Sequence, residues 1–217
     1  MIKVMLVDDH DLVRTGIKRL LEDHPNINIV GEAVSGEQAL AQVDEYDPDV
    51  VLMDINMPGI GGLEATRKLL QRKPNLKIIV VTMHEDDLFA QRLLKSGAMG
   101  YLTKGARVDE ILQAIQSVMA DQRYLCSNIA QQLALSHMTE ADTSPFDSLS
   151  ERELQVLLMM MDGHSISVIS QKLCLSPKTV STYRTRLYSK LGVQNDIELA
   201  RLALQYGVVE STANLKA

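Results

Sequence analysis

Five side chains in the first half of the chain are of the types that phosphoryl chemistry needs: the pair Asp8 and Asp9, the single Asp54, the hydroxyl of Thr82 and the ammonium of Lys104. A carboxylate can attack phosphorus and form an acyl phosphate when a metal neutralises the phosphoryl oxygens and fixed donors receive the transferring charge. Asp54 is the expected nucleophile, with Thr82 bonding one phosphoryl oxygen and Lys104 opposing the charge. Three neighbouring carboxylates repel one another unless a cation sits among them, and an all-oxygen site that retains waters suits Mg²⁺. Asp8, Asp9, Asp54 and a carbonyl at Asn56 are the expected ligands. Taken singly, an Asp after an apolar run is an ordinary turn or capping residue. The conjunction carries the reading.

A second constellation lies in the other half. Residues 176–191 carry Lys178, Arg184, Arg186 and Lys190 and no acid. On a helix, Val180, Leu187 and Leu191 would pack inward and leave Ser181, Thr182 and Thr185 outward, flanked by cations. Short hydroxyl side chains can reach base edges in a major groove, while Lys and Arg chiefly fix a helix on phosphates. A basic helix is more often a plain solvated face, so charge alone does not decide.

Positioning these residues requires two kinds of architecture. From Lys3 to Met119, short β-branched runs alternate with helical patterns, which predicts a doubly wound α/β domain of five parallel strands at Lys3–Val7, Asn28–Glu32, Val50–Met53, Lys77–Thr82 and Met99–Leu102. Functional groups in such a sheet gather beyond the carboxyl ends of the strands, where all five phosphoryl-handling residues fall. The predicted helical faces are Leu12, Gly16, Leu20 and Leu21; Leu63, Thr66, Leu69 and Leu70; and Ile111, Ala114, Ile115 and Val118. Beyond a polar stretch containing Pro145, strands disappear and four short helices follow. Ser150 with Glu153 forms a capping-box pattern, Gly163 closes the first helix, Ser165 opens the second, Ser176-Pro177 opens the third and Asp196 caps the fourth. The expected organisation is residues 1–121 as phosphoacceptor domain, 122–147 as linker with a short helix near Ile129, 148–209 as a separate all-α helix-turn-helix domain and 210–217 as a flexible tail.

Composition bounds the partners. The net charge of −6 is divided unevenly: 14 Lys and Arg face 19 Asp and Glu through Arg123, whereas Pro145 to Val209 holds 7 against 6. An acidic first half suits a metal site, and a near-neutral second half with its cations on one segment suits a local phosphate-facing surface. No run of about 18 apolar residues is present and the N-terminus reaches Asp8 and Asp9 early, so a cytoplasmic chain without membrane partners is expected. Cys126 and Cys174 lack metal spacing and are expected to be buried thiols and not a disulfide. Met159-Met160-Met161 reads as packing material, and the histidines lack zinc-ligand spacing.

Val7-Asp8-Asp9-His10, Leu52-Met53-Asp54 with Met57-Pro58-Gly59, Val81-Thr82 and Gly100-Tyr101-Leu102-Thr103-Lys104 together resemble the receiver domain of two-component response regulators. Leu149-Ser150-Glu151-Arg152-Glu153, Ser176-Pro177-Lys178-Thr179-Val180 and Lys190-Leu191-Gly192-Val193 resemble the four-helix, LuxR-type output domain of the NarL/FixJ class, and Asp11-Leu12-Val13-Arg14-Thr15-Gly16, Gly61-Gly62-Leu63-Glu64-Ala65-Thr66-Arg67 and Thr185-Arg186-Leu187-Tyr188-Ser189-Lys190-Leu191 resemble its GacA/UvrY branch. The resemblance implies phosphorylation of Asp54 by a sensor histidine kinase with Mg²⁺, a switch in which Thr82 moves and Tyr101 rotates inward, and regulation of transcription on double-stranded promoter DNA. It assigns Lys178 and Thr179 to phosphate contacts, Ser181, Thr182 and Thr185 to positions near bases, and Arg184, Arg186 and Lys190 to the DNA backbone. It also implies a homodimer in the phosphorylated or DNA-bound state, paired through the last helix. Departures from the pattern are Met83 and His84 after Thr82, expected with Asn56 to tune the lifetime of the acyl phosphate, and Gly105 where proline is usual. Ser170, Tyr183 and Asp196 depart in the second half, the last where Arg often occurs. Two competing readings are an aspartyl-phosphate hydrolase, disfavoured because Asn56 cannot supply the required second acid, and a receiver joined to a protein-docking module.

Overall fold

The computed structural model describes residues 1–82, 92–131, 144–206 and 208. It divides into two compact units, Met1–Ala134 and Leu135–Ala217, and the division falls within the segment expected to be a linker.

The first unit is a parallel sheet with helices on both faces. Its elements run β1 Ile2–Val7, α1 Asp11–Glu22, β2 Ile27–Ala33, α2 Gly36–Tyr46, β3 Val50–Asp54, α3 Gly61–Arg72, β4 Lys77–Thr82, β5 Gly100–Thr103, α4 Val108–Met119 and β6 Tyr124–Leu125. The strand order is β2-β1-β3-β4-β5-β6, with every pair parallel. Five strands stand where the sequence predicts them; β6 is an addition. Only two residues long, β6 has no alternation to detect, and it is held by Tyr124 N–H donating to Met99 O at 3.0 Å and Cys126 N–H donating to Tyr101 O at 3.2 Å.

The strands β3 and β4 carry unbroken apolar runs, Val50–Met53 and Ile78–Val81, because both of their faces are covered. On one face Leu6, Leu52, Ile79, Val81 and Leu102 pack with Leu21, Ile111, Ile115 and Val118. On the other, Met5, Val7, Met53 and Ile78 pack with Ala39, Val43, Ala65 and Leu69. The predicted inward faces of α3 and α4 hold, but of that predicted for α1 only Leu21 is buried. Leu12 is 86% exposed and Leu20 43%, whereas Ile17 and Leu21 turn inward. Two apolar stripes of similar spacing lie on α1, and the inward one leaves Arg14 and Lys18 free to reach Glu32 on β2 at 3.1 and 2.7 Å.

The second unit opens with a 3₁₀ turn at Pro145–Ser148 and continues with α5 Glu151–Met161, α6 Ile166–Lys172, α7 Pro177–Leu191 and α8 Asp196–Gln205. Phe146 of the turn is fully buried and meets Tyr206 edge-on, with ring centroids 6.0 Å apart. The apolar face of α7 is Val180, Leu187 and Leu191, as its spacing predicts. The capping box forms as expected: Ser150 N–H donates to Glu153 Oε2 at 2.7 Å, and Glu153 N–H to Ser150 Oγ at 3.4 Å. Ser165 and Ser176 cap α6 and α7. The cap of α8 is Asn195, whose Oδ1 accepts Glu198 N–H at 2.9 Å, and not Asp196. Both residue types cap well; placing Asn195 there makes Asp196 the first helical residue and points its carboxylate back toward α7.

Candidate functional site

Parallel pairing puts the carboxyl ends of β1, β3, β4 and β5 on one edge, and the predicted residues meet there. Asp54 ends β3, Thr82 ends β4, Asp8 follows β1, and Lys104 follows β5. Lys104 Nζ lies 2.8 Å from Asp54 Oδ2 and 2.8 Å from Asp8 Oδ2. The Lys104 backbone is anchored as well, its N–H donating to Thr82 O at 2.7 Å. Asp54 and Thr82 are buried, as is Asp8, while Asp9 sits at the rim. Asn56 contributes its N–H to Asp54 Oδ1 at 3.2 Å.

Burial sets the electrostatics. Removal from water pushes the Asp54 carboxyl above its ordinary value, and Lys104 only partly opposes this. Burial works against the charged form of Lys104, yet Asp54 and Asp8 together outweigh it and hold the ammonium above its ordinary value. The two carboxylates therefore share one fixed internal cation. Any anionic group entering here would meet a donor that is already oriented.

Oxygen or nitrogen atoms of Asp8, Asp9, His10 and Asp54 lie within 4.8 Å of one another. His10 Nδ1 is 2.9 Å from Asp9 Oδ1, 3.2 Å from Asp8 Oδ1 and 4.0 Å from Asp54 Oδ2. Three carboxylates that converge on one point, two of them buried, fit a hard divalent cation with oxygen ligands and retained waters. Of Asn56, the structure shows only the backbone bond to Asp54.

Three supporting residues escaped the sequence reading or were weakly marked in it. Arg14 Nη1 donates to Asp8 O at 2.8 Å and braces the β1–α1 turn, with Glu32 and Asp11 holding the guanidinium. His10 donates its N–H to Asp8 Oδ1 at 2.8 Å. Gly62 N–H donates to Ile55 O at 3.0 Å, bringing α3 so close to β3 that a Cβ there would lie 2.7 Å from Ile55 Cα and 2.8 Å from the Asp54 carbonyl carbon. A side-chain pattern could have pointed to Arg14; nothing but glycine itself marks position 62.

Tyr101 is fully buried and pairs in register with Val80, two residues before Thr82. Tyr101 and Thr82 therefore share a sheet face. Met83 and His84 lie outside the described residues.

In the second unit, Lys178, Ser181, Thr182, Thr185, Arg186 and Lys190 of α7 are exposed, with Thr179 and Arg184 half-buried. The Thr182 and Thr185 hydroxyls donate to Lys178 O and Ser181 O at 2.9 and 3.0 Å, keeping acceptor capacity outward. Thr179 Oγ1 is bonded to the capping Ser176 Oγ at 2.8 Å. Two of the four cations have partners within the fold. Lys190 Nζ donates to Glu153 Oε2 at 2.6 Å and Ser148 O at 3.0 Å, and Arg184 Nη2 to Asp196 Oδ2 at 2.5 Å. Lys178 and Arg186 form no ion pair among the described residues.

The family of response regulator receiver domains matches residues 4–116, and that of bacterial regulatory proteins of the luxR family matches residues 147–203. The chain is a two-component response regulator. This response regulator is 56% identical over 214 residues to the response regulator GacA of Pseudomonas aeruginosa, across 98% of its own length and 100% of the relative's. It is 52% identical over 209 residues to the response regulator UvrY of Escherichia coli K12, across 96% of each chain. Among solved structures it is similar to the RcsB response regulator of Salmonella typhimurium, described for its conformational dynamism in DNA interaction, with a TM-score of 0.69 and 26% identity over 92% of this chain and 95% of that one. The response regulator thus joins a receiver to a LuxR-type DNA-binding domain. Among its described residues, no helix is long and apolar enough to cross a membrane.

Proposed function

We propose that Asp54 is the phosphoacceptor of this response regulator and that its modification controls occupancy of promoter DNA by α7. The observation that carries the first half is the Lys104 ammonium held 2.8 Å from both Asp54 and Asp8 at the carboxyl edge of the sheet. A carboxylate oxygen of Asp54 attacks the phosphorus of a phosphohistidine on a sensor kinase; the P–N bond breaks as the O–P bond forms, and the imidazole leaves with the electron pair. Lys104 then opposes a phosphoryl oxygen, and the Thr82 hydroxyl donates to another. Mg²⁺ held by Asp8, Asp9 and Asp54, with a carbonyl at Asn56, would neutralise phosphoryl charge. Thr82 and the buried Tyr101, on one sheet face, form the moving pair that reports the new charge. Met83 and His84, with Asn56, would set how quickly water reaches the acyl phosphate. The receiver thereby promotes its own phosphorylation and slow dephosphorylation without turning over an external substrate.

On α7, Lys178, Thr179 and Arg186 meet phosphates, and Ser181, Thr182 and Thr185 stand nearest the bases. Arg184 and Lys190 flank them from positions already tied to carboxylates. Ile197, Leu204 and Tyr206 are exposed on or just beyond α8, which supports pairing of two output domains in a homodimer. Promoter DNA as the target supports a cytoplasmic location. The test compares wild type with Asp54→Ala, each with and without a small-molecule phosphodonor and Mg²⁺. Mass spectrometry should find one phosphoryl group on wild-type Asp54, and promoter binding should strengthen in wild type alone. Modification at another residue, or equal strengthening in both proteins, would overturn the proposal.

A further inference from the structure

The DNA-facing helix carries its own counter-charge. Arg184 and Tyr188 are four residues apart on α7 and therefore neighbours on one face. Gly192, with φ of 68°, ends that helix in the left-handed conformation and turns the chain back, and Asn195 then caps α8 so that Asp196 faces the same pair. Arg184 Nε donates to Tyr188 Oη at 2.7 Å and to Asp196 Oδ1 at 3.2 Å, and Nη2 donates to Asp196 Oδ2 at 2.5 Å. The Tyr188 hydroxyl donates to Asp196 Oδ1 at 2.5 Å, and the guanidinium carbon lies 5.4 Å from the Tyr188 ring centre. Burial and the Asp196 bond both push the Tyr188 phenol up, so it remains a donor in this ring of contacts.

An Arg held at two nitrogens by a carboxylate differs from a free cation in what it does for DNA binding. A free Arg that neutralises a phosphate releases a condensed counterion and steepens the salt dependence by about 0.9 in log–log slope. An Arg already neutralised by its own chain releases none, and its carboxylate partner repels a phosphate that comes close. We propose that Asp196 acts as an internal counterion for Arg184, lowering sequence-independent affinity for DNA so that phosphate contact is left to Lys178 and Arg186 and discrimination to the hydroxyl face of α7. This deepens the DNA-binding reading above and rests on it. Lys190 is withdrawn in the same sense, but its counter-charge, Glu153, is 3% exposed and buried within the domain, whereas Asp196 is 53% exposed and stands at the surface beside Arg184.

The experiment measures binding of the full chain to a mixed-sequence duplex across a fourfold range of salt, for wild type, Asp196→Asn, Arg184→Gln and the double variant. Asp196→Asn should bind more tightly at the lowest salt and show a slope steeper by about 0.9, which is an extra factor of about 3.5 across the range. Arg184→Gln should leave the wild-type slope unchanged, and the double variant should return to it. An unchanged slope in Asp196→Asn, or weaker binding at every salt, would overturn the inference. So would a slope flattened by about 0.9 in Arg184→Gln, because that charge would then be reaching phosphate in wild type. The Arg184→Gln result decides the matter should Asp196→Asn fail to fold by circular dichroism. A wild type without salt-dependent binding would instead bring down the DNA-binding reading itself.

Discussion

Replacing Gly62 by Ala tests whether the approach of α3 to β3 fixes Asp54, the proposed phosphoacceptor. The added Cβ would lie 2.7 Å from Ile55 Cα and 2.8 Å from the Asp54 carbonyl carbon, and closer still to the Asp54 carbonyl oxygen, where ordinary contact begins at 3.4 Å. The shortfall is about 0.6 to 0.7 Å on two backbone carbons, and neither can rotate away as a side chain could. Relief must come from moving the start of α3 or the end of β3, and overpacking of this kind costs about 1–3 kcal/mol. For a domain between the 100- and 150-residue classes, at roughly 4 °C per kcal/mol, that predicts a fall in Tm of about 4–12 °C. Because the shifted segment carries Asp54, its carboxylate should also leave its alignment with Lys104, and a misplacement of about 1 Å can cost on the order of a hundredfold in rate. The expected result is a folded protein phosphorylated at least about tenfold more slowly by a small-molecule donor with Mg²⁺, read by phosphate-affinity electrophoresis over time. An Ala variant with wild-type Tm and a phosphorylation rate within about twofold of wild type would refute the steric reasoning.

Two further outcomes are expected. Mg²⁺ should raise the Tm of wild type, by the equivalent of about 2.7 kcal/mol at one hundred times its dissociation constant, and Asp9→Asn should shrink that shift; equal shifts in differential scanning fluorimetry would remove Asp9 from the ligand set. In the output domain, burial pushes Glu153 up, but bonds from Lys190 and Ser150 outweigh it and hold the carboxyl below its ordinary value of 4.5. A depressed folded-state pKa contributes stability that is fully present above about pH 4.5 and is lost as pH falls through the folded value. Lys190→Met should therefore destabilise the domain by about 1–3 kcal/mol at pH 7, and urea unfolding should show the gap to wild type narrowing toward pH 3; a gap independent of pH would show that Glu153 does not depend on Lys190.

The convergence of the candidate site residues was legible because chemistry restricts their types and a parallel sheet dictates where strand ends meet. Asp8, Asp54, Thr82 and Lys104 could be placed together before any coordinate was known. What escaped depends on three-dimensional choices between near-equal local options. On α1, Leu12 and Leu20 make an apolar stripe as regular as that of Ile17 and Leu21, and only packing against the sheet separates them. Asn195 and Asp196 are both good caps, and the one-residue difference decides whether Asp196 caps α8 or meets Arg184. The strand β6 was invisible because two residues carry no period. Gly62 resembles any loop glycine until β3 is seen beneath it.

The parts of the acidic cluster come from β1, β3, β4 and the turn after β5, so no contiguous stretch of chain contains them. A nascent polypeptide still short of Lys104 holds Asp8 and Asp54 but not the cation that joins them. A partly unfolded molecule has all of them, scattered. Under the proposed function, responsiveness to the upstream signal doubles as a check on assembly: acceptor and cation come together only in a receiver whose β5 has docked, and unfinished copies would stay silent without any separate surveillance.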